Sequence, residues 1–150
     1  MKKILSSLLV LILCFGMFGC SGNSTTTVCK MGEGTDDATT ITFKAKGDKV
    51  STAEYVYVVN FVAFGYTEEV VQGAVDQGVL NFADIAGVSY KGEIKDGILT
   101  ETIAVDYDKA DMAVLVSKGI VISTDGKTPT FVGLEVTIDQ LTKDGATCTK

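Results

Sequence analysis

The side chains in this sequence that could do chemistry are four cysteines and nineteen carboxylates; there is no His. Without imidazole there is no Ser-His or Cys-His pair and no histidine general base. Gly-x-Ser-x-Gly, Ser-x-x-Lys and the phosphate-cradling Gly-x-x-x-x-Gly-Lys pattern are all absent, and Gly32-Glu33-Gly34 is too short for a dinucleotide fingerprint. Asp106, Asp108 and Asp111 put three carboxylates within six residues, which suits an oxygen-loving cation such as Ca²⁺. They lack the loop glycine and closing Glu of the helix–loop–helix calcium motif. The reading preferred here is a helix N-terminus, where Asp accepts from backbone N–H groups and meets the helix dipole. A pair of carboxylates could run glycoside hydrolysis, but nothing in the sequence places two together. No catalytic residue, metal ligand or cofactor is assigned.

The cysteines sort by position. Lys2-Lys3 precede an apolar run from Ile4 to Phe18 that contains Cys14 and closes on Gly19-Cys20. That is the order of a secretory signal, and the run is too short to span a bilayer, which takes ~20 residues. Cys directly after Gly19 resembles a bacterial lipobox, which implies that the Cys20 thiol carries diacylglycerol and becomes the mature first residue. The competing reading is an ordinary signal that ends near a Cys. Residues 1–19 are therefore expected to be a lipoprotein signal peptide. Cys29 and Cys148 remain, one near each end of the mature chain and outside the reducing cytosol, and are expected to form a disulfide. A metal site shared between them would find no further Cys and no His.

Once the signal is set aside, 11 Lys face 19 acidic residues with no Arg, a formal balance of −8. Such a surface suits neither nucleic acid nor anionic head groups. Attachment to the membrane would then rest on the lipid at Cys20, with the domain on the extracytoplasmic side. A single domain is what this length allows.

These residues need elements to position them. Ser21 to Thr27 is small, polar and uncharged, so residues 20–27 read as a flexible tether and 28–150 as the domain. Ile41, Phe43 and Ala45 alternate with polar residues, and Val50 to Val62 supplies a long partner strand. A three-residue loop at Gly47 to Lys49 would set Ile41 opposite Tyr55 and Phe43 opposite Ala53. Thr67 caps an expected helix reaching Ala86, with Glu68 and Glu69 in its first turn and Val71, Val75, Val79 and Phe82 in one stripe. Gly73 and Gly78 weaken that helix. Asp96-Gly97 is a preferred hairpin turn; it pairs Ile94 with Leu99, Tyr90 with Ile103 and Val88 with Val105. The resulting face is apolar apart from Glu101. A short helix follows from Asp108 to Lys118. The last helix is expected from Thr128-Pro129 to Gly145, with a strand over Val132 to Ile138 as the competitor.

Tyr55, Tyr57, Phe61, Phe64 and Tyr66 crowd into twelve residues. They could line a groove for an apolar ligand; core is the commoner fate of such a run.

With those residues in view, the chain resembles the YehR-type family of small bacterial lipoproteins. The resemblance lies in Phe43-Lys44-Ala45-Lys46-Gly47-Asp48-Lys49-Val50, in Ile85-Ala86-Gly87-Val88, in Leu99 through Asp111 and in Leu141 through Cys148. It implies an α+β domain on a lipid anchor, favours helix for the last segment, and brings no catalytic residue. The expected fold is two antiparallel hairpins forming one sheet with helices on one face, ββαββα-like. The expected function is a non-enzymatic binding or interaction module of the cell envelope, its partner an envelope protein or an apolar ligand. The alternatives are a structural or chaperone-like envelope component and a carboxylate-based hydrolase.

Overall fold

In the computed structural model residues 24–122 and 126–150 are described. Along the chain come β1 (Ser24–Met31), β2 (Asp37–Lys46), β3 (Lys49–Asn60), α1 (Glu68–Phe82), β4 (Val88–Lys95), β5 (Ile98–Asp106), α2 (Met112–Ser117), α3 (Leu134–Lys143) and β6 (Thr147–Thr149). The strands form one antiparallel sheet in the order β4-β5-β3-β2-β1-β6. The α+β class and the two hairpins are as the sequence predicts; β1 and β6 extend the sheet beyond them.

Turn chemistry accounts for the registers. Asp96 and Gly97 hold φ of 52° and 81°, both positive as a type I′ turn requires. They pair Ile94 with Leu99, Tyr90 with Ile103 and Val88 with Val105, the expected partners. In the first hairpin Ile41 faces Tyr55 and Phe43 faces Ala53, again as expected, but the loop is tighter. Lys46 pairs with Lys49, leaving a two-residue turn, and the register shifts between Lys44 and Ala45. The extra residue is Ser51, a bulge held by its hydroxyl donating to Lys44 O (3.0 Å) and its carbonyl accepting from Tyr107 N (2.9 Å). Bulges restore register in this way at the cost of one unpaired residue.

All three helices bury residues against one face of the sheet. Leu115 of α2 and Leu134 of α3 join Cys29, Ile41, Phe43, Ala53 and Val105 in a main core. Val71 and Val75 of α1 join Phe61 and Leu99 in a second cluster. The face between them is half-buried and carries Tyr55, Tyr57, Tyr90, Glu101 and Ile103.

Several boundaries differ from expectation. The tether reading of residues 20–27 fails for its second half: Ser24 to Thr27 pair with Phe43 to Lys46, so the sheet begins at least at Ser24. α1 stops at Phe82, and the chain turns so that Ile85 drops into the core. α2 begins at Met112, with Asp111 as its cap rather than Asp108. The last helix starts at Leu134, not Pro129, because Val132 O accepts from Val50 N at 3.0 Å and Gly133 bridges Lys49. The segment before α3 is thereby held against the first hairpin.

Candidate functional site

α3 is capped from across the fold. Its N-cap residue is Gly133, which has no side chain to accept a hydrogen bond. Asp48, on the tip of the β2–β3 hairpin, takes that role: its Oδ1 accepts from Glu135 N at 2.7 Å and its carbonyl from Leu134 N at 2.7 Å. Because the hairpin fixes the start of the helix, one flank of α3 stands off from Ile120, Val121 and Ile122 and from Pro129, Phe131 and Val132. Between them opens a cleft of about 600 Å³, within the usual range for small-molecule sites.

The cleft is mainly apolar. Tyr107 and Val121 line it, and Val121 and Tyr107 are also core residues. Its other lining includes Ile122, Phe131 and Val136, which are 82%, 45% and 64% exposed. Thr137, Gln140 and Asp144 are its polar members, and each is already engaged. Thr137 Oγ1 donates to Gly133 O at 2.6 Å, and Gln140 Nε2 donates to Asp144 Oδ1 at 3.1 Å. The Tyr107 and Tyr55 hydroxyls share a hydrogen bond of 3.1 Å. Burial pushes both phenols above their usual range, and each Tyr affects the other's titration.

The predicted aromatic cluster is not one groove. Tyr55 packs edge-on to Phe43, ring centroids 6.4 Å apart. Tyr57 lies mid-sheet opposite Glu101, where burial chiefly, then Tyr55 and Glu101, raise its pKa. Phe61 is buried in the second cluster, whereas Phe64 and Tyr66 are exposed beyond β3. The tyrosine at the cleft is Tyr107. Its signal in the sequence is position: it continues the inward alternation Leu99, Ile103, Val105 past the end of β5.

Glu101, the odd residue on the apolar face, has a partner. Its Oε1 accepts from the Tyr90 hydroxyl at 2.5 Å, and burial followed by this bond raises the Tyr90 pKa. The Tyr90 ring in turn stacks on Phe82 at 5.5 Å. The three clustered aspartates go separate ways. Asp106 pairs with Lys109 (2.7 Å), Asp108 pairs with Lys49 (2.7 Å), and Asp111 Oδ1 accepts from Ala113 N and Val114 N. The Lys49 ammonium holds the Asp108 carboxyl below the usual range. Among the described residues no group of three or more His, Cys, Asp or Glu is placed to hold a metal ion. A second depression, about 560 Å³, lies on the outer face of the sheet. It is shallow and includes the paired Asp106 and Lys109, so we place the candidate site in the apolar cleft.

Cys29 and Cys148 face each other across β1 and β6, with sulfurs 2.02 Å apart and Cα atoms 4.0 Å apart. Cys20 and residues 1–19, the expected signal peptide, lie outside the described residues.

A profile described as "Protein of unknown function (DUF1307)" matches residues 25–147. The chain belongs to this family. Among solved structures, the DUF1307 chain is similar to the NMR structure of the E. coli YehR protein, with a TM-score of 0.69, 19% identity, and coverage of 87% of this chain and 94% of that one. It is also similar to the NMR structure of a protein from Streptococcus pneumoniae TIGR4, with a TM-score of 0.59, 14% identity, and coverage of 99% and 96%. At these identities the likeness is one of fold. None of the curated proteins matches the DUF1307 chain. Among the described residues no helix is long and apolar enough to cross a membrane.

Proposed function

We propose that this protein is a cell-envelope lipoprotein, anchored through Cys20, whose domain is a non-enzymatic binding module for an apolar ligand. The observation that carries the binding role is the cleft beside α3. An apolar lining that stays exposed costs hydration free energy, ~25 cal/mol for each Å² left in water, and covering it with a ligand recovers that cost. The anchor rests on the Lys2-Lys3, apolar run and Gly19-Cys20 pattern, together with β1 starting only four residues after Cys20.

The polarity-sensitive dye 1-anilinonaphthalene-8-sulfonate should bind saturably to the folded protein. Val136→Glu would place a charge on the exposed cleft wall and should weaken binding by roughly tenfold or more, equivalent to ~1.4 kcal/mol. Dye affinity unchanged in a folded Val136→Glu variant would remove the cleft as the site. For the anchor, Cys20→Ala should release the protein from the membrane fraction, and retention of that variant would refute it.

A further inference from the structure

We propose that the cleft receives a fatty-acyl chain from a lipid of the bilayer to which the domain is tethered, a step that rests on the apolar-cleft reading above. The first support is shape. Gly133, Val136, Thr137, Gln140, Leu141 and Asp144 contribute the α3 wall, at spacings of three, one, three, one and three. They form a single stripe along the helix, about 16 Å long at 1.5 Å per residue. A groove of that form suits a chain better than a compact ring system.

The second support is the state of its polar groups. Thr137 is bonded to the Gly133 carbonyl, Gln140 to Asp144, and the Tyr107 hydroxyl to Tyr55. These satisfied groups impose no requirement for a directional polar partner inside the cleft, which matches hydrocarbon.

The third support is position. Ser24 pairs with Lys46, Lys46 with Lys49, and Lys49 bridges Gly133 at the start of the groove. Three inter-strand steps of ~4.8 Å put the groove's opening turn ~15 Å from Ser24. Ser24 is the fourth residue after Cys20, and four Cα steps limit Cys20 to ~14 Å from the sheet. An anchor there holds this end of the sheet, and not the Asp96-Gly97 end, against the lipid. Lys44 and Lys46 lie exposed on the same hairpin, while Lys49 is held by Asp108.

The test uses the membrane-extracted full chain in phosphatidylglycerol vesicles containing a lipid with a photoreactive diazirine at the end of one acyl chain. Illumination should label peptides from residues 131–141, and Val136→Glu should cut that label roughly tenfold, the effect of ~1.4 kcal/mol. Phe64→Glu, at the opposite end of the sheet, should leave it unchanged. Label that ignores Val136, or falls only outside α3 and its facing segment, overturns the proposal. If label is missing while the sulfonate dye still binds in a Val136-dependent way, the acyl-chain assignment fails and the apolar cleft survives. If the dye is also insensitive to Val136, both fail. Finally, an unlabelled wild type whose Cys20→Ala variant takes up diazirine-palmitate would mean that the anchor's own chain fills the groove, which overturns the bilayer source.

Discussion

Asp48 shows how one side chain can hold together elements far apart in sequence. It sits on a hairpin turn, yet its carboxylate caps a helix 87 residues later. Removing a helix cap typically costs about 0.5–2 kcal/mol, so Asp48→Ala should lower the urea midpoint correspondingly, with Asp48→Asn keeping most of the difference. Equal midpoints for the Ala variant and the wild type would mean that the cap contributes nothing. Tyr107 makes a second residue-scale prediction. Burial, and then its contact with Tyr55, raise the folded-state pKa of the phenol above 10.0. The folded state therefore holds this proton more tightly than the unfolded chain does. The associated stability is fully present below about pH 10 and declines as pH climbs beyond it, by up to ~1.4 kcal/mol per pH unit. Tyr107→Phe removes the titrating group and should flatten the alkaline limb of the stability curve; an identical slope would exclude Tyr107 as its source.

At the level of elements, two glycines that weaken local propensity turn out to permit a close approach. A Cβ on Gly78 would lie 2.4 Å from Tyr90 Cζ, and one on Gly92 would lie 2.6 Å from Val75 Cγ1. The absence of both lets α1 rest directly on β4. In an isolated helix Gly→Ala stabilises by about 1 kcal/mol. Here Gly78→Ala should instead destabilise, because Tyr90 is fixed by Phe82 on one side and Glu101 on the other. A higher melting temperature for Gly78→Ala would show that this packing is slack. The contrast explains what was legible. The Asp96-Gly97 hairpin and the Ile41 register were readable because turn residues and alternation agreed. β1 was not, since its inward positions include Thr27, which is only 1% exposed with its hydroxyl buried and unpartnered. Polar-looking residues on a buried face give no alternation signal. β6, three residues long, is too short for any periodicity. The Pro129 start for α3 failed because a tertiary partner, the hairpin tip, outweighed local helix-start chemistry. The cleft was invisible for the same reason: it exists only where α3 is set against Tyr107 and Ile120 to Ile122, residues from earlier in the chain.

Across the whole molecule, the sulfur pair joins the two edges of the chain with a sequence separation of 119. Closing a loop of that size lowers unfolded-chain entropy by about 5 kcal/mol at room temperature in the loop-closure account. Cys29→Ser with Cys148→Ser should therefore reduce stability by several kcal/mol while β1 keeps its ladder to β2. A double variant as stable as the parent would show that the cross-link adds nothing.

The same cross-link decides how the domain responds to being pulled. A load applied between Ser24 and Lys150 enters along β1, crosses at Cys29–Cys148 and leaves through the last two residues. The chain between the two cysteines, a sequence separation of 119, is bypassed, so tension never reaches α1, the second hairpin or the groove beside α3. In a single-molecule pull, that loop should release about 400 Å of hidden length only after reduction of the bond. Held at one end and dragged at the other, the domain would keep the cleft beside α3 shaped under shear.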